Sequence, residues 1–262
     1  MSVYIYFVNA FTNKAFKGNP AAIVFLQNEH SESWMSSVAA EMNQSITTFL
    51  LKHNGNPYQI RWFTPEKEIP LCGHGTLGAA HILWNEFNET SERISFQSNT
   101  SELYAEKKGK KIQLTFPKID STMVETPNQL NEILGCSIQS CSWASDRYIV
   151  EVESEEVIHC IAPNFEKMRE LDGTGVIVTS RGTGSYDFVS RYFAPKIGIK
   201  EDYVTGSAHC SLAPYWSSRL HKTEFTAYQD SERGGEVSIQ LTQDHVQLSG
   251  DCITVLKGNL VI

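Results

Sequence analysis

Apolar residues in this chain fall mostly into short blocks broken by Gly, Pro, Asn and Asp, a pattern of strands and turns with few helices. Val3 to Val8 alternates aromatic with aliphatic side chains and predicts a first strand, and Ala21 to Leu26 predicts a second. Lys17-Gly18-Asn19-Pro20 between them is a turn, in which Gly18 can take positive φ and Pro20 blocks continuation. Ser31 suits the N-cap of a helix reaching about Met42. Thr47 to Leu51 and Tyr58 to Phe63 read as strands joined by a turn at His53-Asn54-Gly55-Asn56. The next segment, from about Gly73 to Phe87, is helical and apolar around most of its circumference, through Leu77, Ala80, Ile82, Leu83 and Trp84. Such a helix is a buried one. Strands at 92–97, 101–105 and 111–115 follow, and Pro117 opens a connection.

Beyond it, Thr126-Pro127-Asn128-Gln129 is a capping signature with Pro at the first helical position, and Gly135 closes that helix. Strands are predicted near 147–152 and 157–161, then a short helix from Asn164 to Leu171, then strands at Val176 to Thr179 and Tyr186 to Phe193. A second central helix starts near Thr205. Pro214 falls inside it, so the helix either kinks there or begins nearer that residue. Strands at 224–229, 236–241, 244–248 and 252–257 end the chain.

The two halves repeat one another. Arg61-Trp62-Phe63-Thr64-Pro65 leads to Leu71-Cys72-Gly73-His74-Gly75-Thr76, and Arg191-Tyr192-Phe193-Ala194-Pro195 leads to Val204-Thr205-Gly206-Ser207-Ala208-His209-Cys210. Arg61 and Arg191 stand 130 positions apart, and Gly73 and Gly206 stand 133 apart. The expected class is α+β, with two pseudo-symmetric domains, each a mostly antiparallel, barrel-like sheet wrapped around a hydrophobic helix. The boundary is placed at Pro117, giving halves 1–117 and 118–262, with the last strand free to return to the first half.

At 262 residues each half can bury a core of its own. The net charge of −8 argues against nucleic acid or an anionic membrane surface as partner, though a cleft can still hold a small anion. No stretch approaches the roughly 18 apolar residues of a membrane span, and Met1 to Phe7 lacks the basic start of a signal peptide. The six cysteines form no CxxC pair and no zinc-like spacing, so a reduced, cytoplasmic protein without disulfides is expected.

The chemistry gathers at the two helix starts. A helix N-terminus offers free N–H groups and a dipole that favours negative charge. Two such starts facing one cleft would bind a carboxylate, or an enolate forming beside it, and Gly73, Gly75 and Gly206 would let the ligand approach the backbone. Cys72 and His74 stand at the first start; Asp202, Thr205, Ser207 and His209 stand at the second. Cys72 is either a buried structural thiol or, if exposed, a thiol with a lowered pKa. His74 is either a packing residue or a neutral proton donor or acceptor, and Asp202 either a cap or a general acid or base. Cys136, Cys141, Cys160, Cys210 and Cys252 read as core residues, and Gly173-Thr174-Gly175 and Gly182-Thr183-Gly184 as turns lacking a full phosphate motif.

These residues resemble the phenazine-biosynthesis isomerase-like (PhzF-like) family, whose fold is that of diaminopimelate epimerase and proline racemase. The resemblance covers essentially the whole chain. It is carried by Phe11 with Gly18-Asn19-Pro20-Ala21, Met42-Asn43-Gln44-Ser45, the Arg61 and Cys72 blocks with Glu68, Glu201-Asp202 with the Thr205 block, and Gln229-Asp230-Ser231-Glu232-Arg233-Gly234-Gly235. It implies a cofactor-independent, metal-free isomerase, a homodimer, acting on a small carboxylate between its two domains. On that resemblance His74, Asp202 and Cys72 are the expected catalytic residues, and Ser45, Gly73, Gly75, Gly206 and Ser207 the substrate-binding ones.

The resemblance breaks at one position. After Asn43-Gln44-Ser45 the family has a proton-moving glutamate, and this chain has Ile46, which cannot transfer a proton. Asn9 and Tyr203 are lesser departures. The two-thiol mechanism of the epimerases is also incomplete, because Thr205 stands where the second cysteine would be. Three readings follow: an isomerase in which His74, Asp202 or Cys72 replaces the glutamate, an inactive small-anion binder, and an interaction module.

Overall fold

The alternating segment at the start of the chain forms β1 (Val3–Ala10), the central strand of a sheet. A computed structural model of the chain describes residues 3–51 and 57–261. The chain divides into two units, Met1–Thr115 with Ser249–Ile262, and Phe116–Leu248. Residues Ser249–Ile262, counted above with the C-terminal half, therefore belong with the first unit.

In the first unit β1 pairs antiparallel with β2 (Asn19–Leu26) and with the last strand of the chain, Cys252–Leu260. β2 runs parallel to β3 (Thr47–Leu51), which pairs antiparallel with β4 (Tyr58–Phe63), itself antiparallel to the short β5 (Glu68–Ile69). β6 (Arg93–Gln97) runs parallel to β4 and continues antiparallel into β7 (Glu102–Lys108) and β8 (Lys111–Pro117).

Helices cover both faces of this sheet. α1 (Glu32–Met42) packs Met35, Val38 and Ala39 against Ala22, Val24, Leu26, Phe49 and Phe63. α2 (Gly73–Glu86) lies on the other face, with Gly78 against Val8 and Ile23 and Gly75 against Thr48 and Trp62. Two covered faces explain why every residue of β3 is buried. α1 is capped by the Ser31 side chain, which accepts from Trp34 N, and is closed by Asn43 in the left-handed region, whose N–H donates to Ala39 O. Phe11 also has positive φ, 62°. Gly250 makes room for it, since a Cβ there would lie 2.5 Å from Phe11 Cδ1.

The second unit contains β9 (Thr122–Met123), α3 (Leu130–Leu134), β10 (Ser140–Ala144), β11 (Arg147–Glu151), α4 (Glu155–Cys160) and α5 (Phe165–Met168). These lead to β12 (Gly175–Arg181), β13 (Phe188–Ala194), β14 (Ile199–Asp202), α6 (Gly206–Leu220), β15 (Glu224–Gln229), β16 (Gly235–Leu241) and β17 (His245–Gly250). β11–β12 and β13–β15 are parallel; β9–β10, β10–β11, β12–β13, β13–β14 and β15–β16 are antiparallel. α3, α4 and α5 cover one face through Ile133, Ile158 and Met168 on Val150, Val178 and Phe193. On α6, Trp216 stacks on Phe188 and its Nε1–H donates to Thr179 Oγ1. Each unit is thus a mostly antiparallel sheet around one central helix, the α+β class expected from the sequence.

Several local expectations need correction. The strand predicted at 157–161 is the helix α4: Ser154 caps it by accepting from Val157 N, and Glu155 and Glu156 in its first turn favour the helix dipole. The helix expected from Thr126-Pro127 starts only at Leu130, after a turn in which Leu130 N–H donates to Pro127 O. α6 begins at Gly206 and runs through Pro214 to Leu220. Cys160, expected in the core, is exposed. The turn expected at His53-Asn54-Gly55-Asn56 lies outside the described residues. Among the described residues no helix is long and apolar enough to cross a membrane.

The seat of α2 tolerates no extra atom. A Cβ at Gly78 would lie 2.6 Å from Val8 Cγ2 and 3.2 Å from Ile23 Cδ1. Gly78→Ala should therefore lower stability by about 1–3 kcal/mol despite the better helix propensity of Ala. Chemical denaturation checks this, and Val8→Ala should restore part of the loss. A more stable Gly78→Ala variant would contradict the packing described.

Candidate active site

In the first unit a paired arginine leads into the helix start. Arg61 on β4 donates from Nε to Glu68 Oε1 (2.7 Å) and from Nη2 to Glu68 Oε2 (2.6 Å), fixing β5 just ahead of α2. Thr64 N–H donates to Lys67 O and closes the turn between the two strands. Cys72 is the N-cap of α2 in extended conformation, and its side chain does not bond back to the first turn.

Three expected residues meet there. Cys72 Sγ lies 3.4 Å from His74 Nδ1 and 3.9 Å from Nε2. Ser45 Oγ lies 3.3 Å from His74 Nε2, and its hydroxyl donates to Pro20 O at 2.6 Å, with Asn19 Oδ1 at 3.2 Å. Cys72 is buried to 7 % exposure, His74 is half-buried and Ser45 exposed, so the array grades from interior to surface. Gly75 lies beneath it: a Cβ there would be 2.5 Å from Thr48 Oγ1 and 3.4 Å from Cys72 Sγ. Gly73 is half-buried in the first turn. Ile46 is only 1 % exposed, and its carbonyl accepts from Ala22 N at 2.9 Å. It is a packing residue.

The second unit repeats the plan with other chemistry. Arg191 donates from Nε to Glu201 Oε1 (2.7 Å) and from Nη2 to Oε2 (2.9 Å), fixing β14 ahead of α6. Thr205 is the extended N-cap of α6, and its hydroxyl turns away to donate to Asp202 Oδ2 at 2.6 Å. Gln229, fully buried, holds both: Oε1 accepts from Thr205 N at 2.8 Å and Nε2 donates to Asp202 O at 2.7 Å. Arg147 Nη1 donates to Ser207 Oγ at 3.1 Å and sits over the Tyr192 ring. Arg147 also pairs with Asp146. Burial alone would raise the Asp146 pKa, but the hydrogen bonds from Arg147 and Thr174 bring it below the usual range. A Cβ on Gly206 would meet only Leu248 Cδ1, at 3.6 Å, so the backbone is open to approach there.

His209 does not join this group. It is fully buried, its Nδ1–H donates to Thr205 O at 2.8 Å, and its ring stacks on Phe188. Burial pushes its pKa down to about 4 and that of Cys210 up to about 12. Both are core residues. Gln229 was quoted in the family block without a role, and Arg147 was missed: a lone arginine opening a strand gives no sequence signal. Among the described residues no group of three His, Cys, Asp or Glu could hold a metal ion.

Comparison with known proteins matches residues 8–258 to the family described as phenazine biosynthesis-like protein. The chain belongs to that family. An uncharacterized isomerase from Halalkalibacterium halodurans is 45 % identical over 100 % of both chains. The crystal structure of an Enterococcus faecalis PhzF-family protein is 40 % identical and superposes with a TM-score of 0.97, covering 100 % of each chain. A probable proline racemase from Agrobacterium radiobacter shares the fold at 10 % identity, with a TM-score of 0.65 over 99 % of this chain and 93 % of its own. This PhzF-like chain is thus an enzyme of the isomerase class.

The buried His209 makes stability depend on pH. Its folded pKa of about 4 lies below the ordinary histidine value of 6.5, so between those values the unfolded chain binds a proton that the folded chain excludes. Stability should fall as pH drops from about 6.5 towards 4 and stay flat above 7 on this group's account. His81, pushed down by burial in the first unit, acts in the same direction. Thermal unfolding at pH 7.5 and pH 5 measures the drop, and His209→Asn should shrink it. An equal drop in that variant would show that His209 is not the group responsible.

Proposed function

We propose that the protein is a cofactor-independent isomerase that moves a proton on a small carboxylate-bearing metabolite, with the start of α2 and the start of α6 each a candidate anion site. The observation that carries this is the repetition of one arrangement, an extended N-cap whose side chain leaves the first turn uncapped, at Cys72 and again at Thr205. Such turns bind anions, and they can hold an enolate as charge develops on it. Neither first turn contains an acidic side chain that would compete with the ligand. His74, Cys72 and Asp202 are the proton-handling groups of this reading, with Ser45, Gly73, Gly75, Gly206 and Ser207 binding the substrate. The resemblance given above implies a homodimer, and a homodimer is part of the proposal.

A second reading, a small-anion binder that has lost its chemistry, draws on Ile46. Incubation in deuterated water with a panel of small amino and hydroxy acids, cyclic dienes included, separates the two by mass spectrometry. Deuterium should enter a carbon position of at least one acid, and Asp202→Asn and His74→Ala should each slow the uptake at least about 100-fold, the usual range for a general acid–base group. Binding of an acid by thermal shift without any uptake would favour the binder.

A further inference from the structure

We infer that Arg147 is a positioning residue of the second helix start. Seated by Asp146 and the turn Gly173-Thr174-Gly175, it occupies the acceptor side of the Ser207 hydroxyl and makes Ser207 a dedicated donor to an anion at the first turn of α6. This rests on the reading of that start as an anion site, and every residue involved belongs to the second unit.

Arg147 opens β11, and Asp146 precedes it in the turn from β10. The guanidinium meets this carboxylate along one edge, Nε to Oδ1 at 2.8 Å and Nη2 to Oδ2 at 3.4 Å. Asp146 is held in turn. Thr174 N–H donates to its backbone carbonyl at 2.7 Å, and the Thr174 hydroxyl donates to Oδ2 at 2.7 Å. The glycines on either side of Thr174 permit this approach. Gly173 has a φ of +78°, and a Cβ there would lie 2.3 Å from Asp146 O; a Cβ on Gly175 would lie 3.0 Å from the Tyr192 hydroxyl. Tyr192 forms the floor of the seat, its ring centre 4.9 Å from Arg147 Cζ, and it stands opposite Asp202 where β13 pairs with β14. A glycine turn without a phosphate motif thus acts as the support of an ion pair.

The direction of the last bond follows from its chemistry. A guanidinium has five N–H donors and no acceptor, so the 3.1 Å contact of Arg147 Nη1 with Ser207 Oγ is a bond that the serine accepts. The serine's own proton must point elsewhere. Among the described residues the Ser207 side chain makes no other hydrogen bond, and Ser207 is exposed, so its O–H is open to an incoming acceptor. His209 N–H donates to Thr205 O within the first turn, and the N–H groups of Gly206, Ser207 and Ala208 lie ahead of that bond. An acceptor at this turn meets the hydroxyl together with backbone donors. A charge-assisted bond received on oxygen also polarises the O–H and strengthens it as a donor. Asp146 offsets the charge of Arg147, so the arginine supplies direction more than field.

Acetate is the probe, with acetamide as its uncharged match, titrated into the full chain and followed by NMR at the backbone amides of Gly206 and Ser207. Acetate should move both amides and acetamide neither. Ser207→Ala should weaken acetate about tenfold, the size of one hydrogen bond to a charged group. Arg147→Met should weaken it by a similar factor, and Arg147→Lys should restore part of the loss. The double variant should be no weaker than either single one, because one residue acts through the other. Multiplying losses would show Arg147 acting on the anion directly, and unchanged affinity in Arg147→Met would show it acting on nothing there; either result overturns the inference. Should Arg147→Met fail to fold, Thr174→Val leaves the arginine in place and loosens only Asp146; it should weaken acetate severalfold, and an unchanged affinity overturns the inference equally. Side-chain ¹⁵N spectra of the ligand-free protein give a second reading: separate Arg147 Nη resonances that Ser207→Ala alters support the seat, and one averaged resonance refutes it. A native chain whose Gly206 and Ser207 amides ignore acetate would refute the anion site itself, whereas a response indifferent to Arg147→Met refutes only the positioning role.

Discussion

Each helix start is held by one bidentate arginine–carboxylate pair. Arg61 grips Glu68 with two nitrogens, and Arg191 grips Glu201 in the same manner. Both arginines sit on the strand that runs past the central helix, and both glutamates sit on the short strand that delivers the chain to it. The pairs are largely shielded, with arginine side chains 24 % and 13 % exposed, so loss of one partner would leave a charge poorly solvated. The planar two-point geometry sets the strand's direction as well as its distance. From that anchor the chain has only a few residues before Cys72 or Thr205 becomes an N-cap. The position of the reactive groups follows from it.

On equal scaffolds the two units place unequal chemistry. Thr205 uses its hydroxyl on Asp202, and Gln229 locks both, which makes the second start a rigid acceptor site with one carboxylate. At the first start the thiol of Cys72 meets an imidazole. Ile46 is packed out of reach of any proton, its backbone still serving the β2 edge.

Much of this was legible in the sequence because the repeat was. Arg61 and Arg191, Gly73 and Gly206 mark equivalent places, and the long buried helix declares itself by its apolar circumference. Strands covered on both faces were also readable, since β3 and β12 are runs of apolar or small residues between turn signals. Elements set by one side-chain bond were less so. Val157-Ile158 looks like a strand until Ser154 is seen to cap a helix there. The short strands β5, β9 and β14 have too few residues to show a period. His209 is one turn into α6 and its ring turns inward onto Phe188, a direction that spacing alone does not give. Arg147 and Gln229 reach the second start from distant points of the chain, so no local motif contains them.

The central claim is that proton transfer survives without a carboxylate at position 46. Solvent-deuterium uptake by the native chain and by Ile46→Glu, measured side by side on the same acids, tests it most directly. The account predicts uptake by the native chain and slower uptake by the variant, because a carboxylate forced into a closely packed apolar site is costly and disturbs its neighbours. An inert native chain that gains uptake when the glutamate is installed would contradict it.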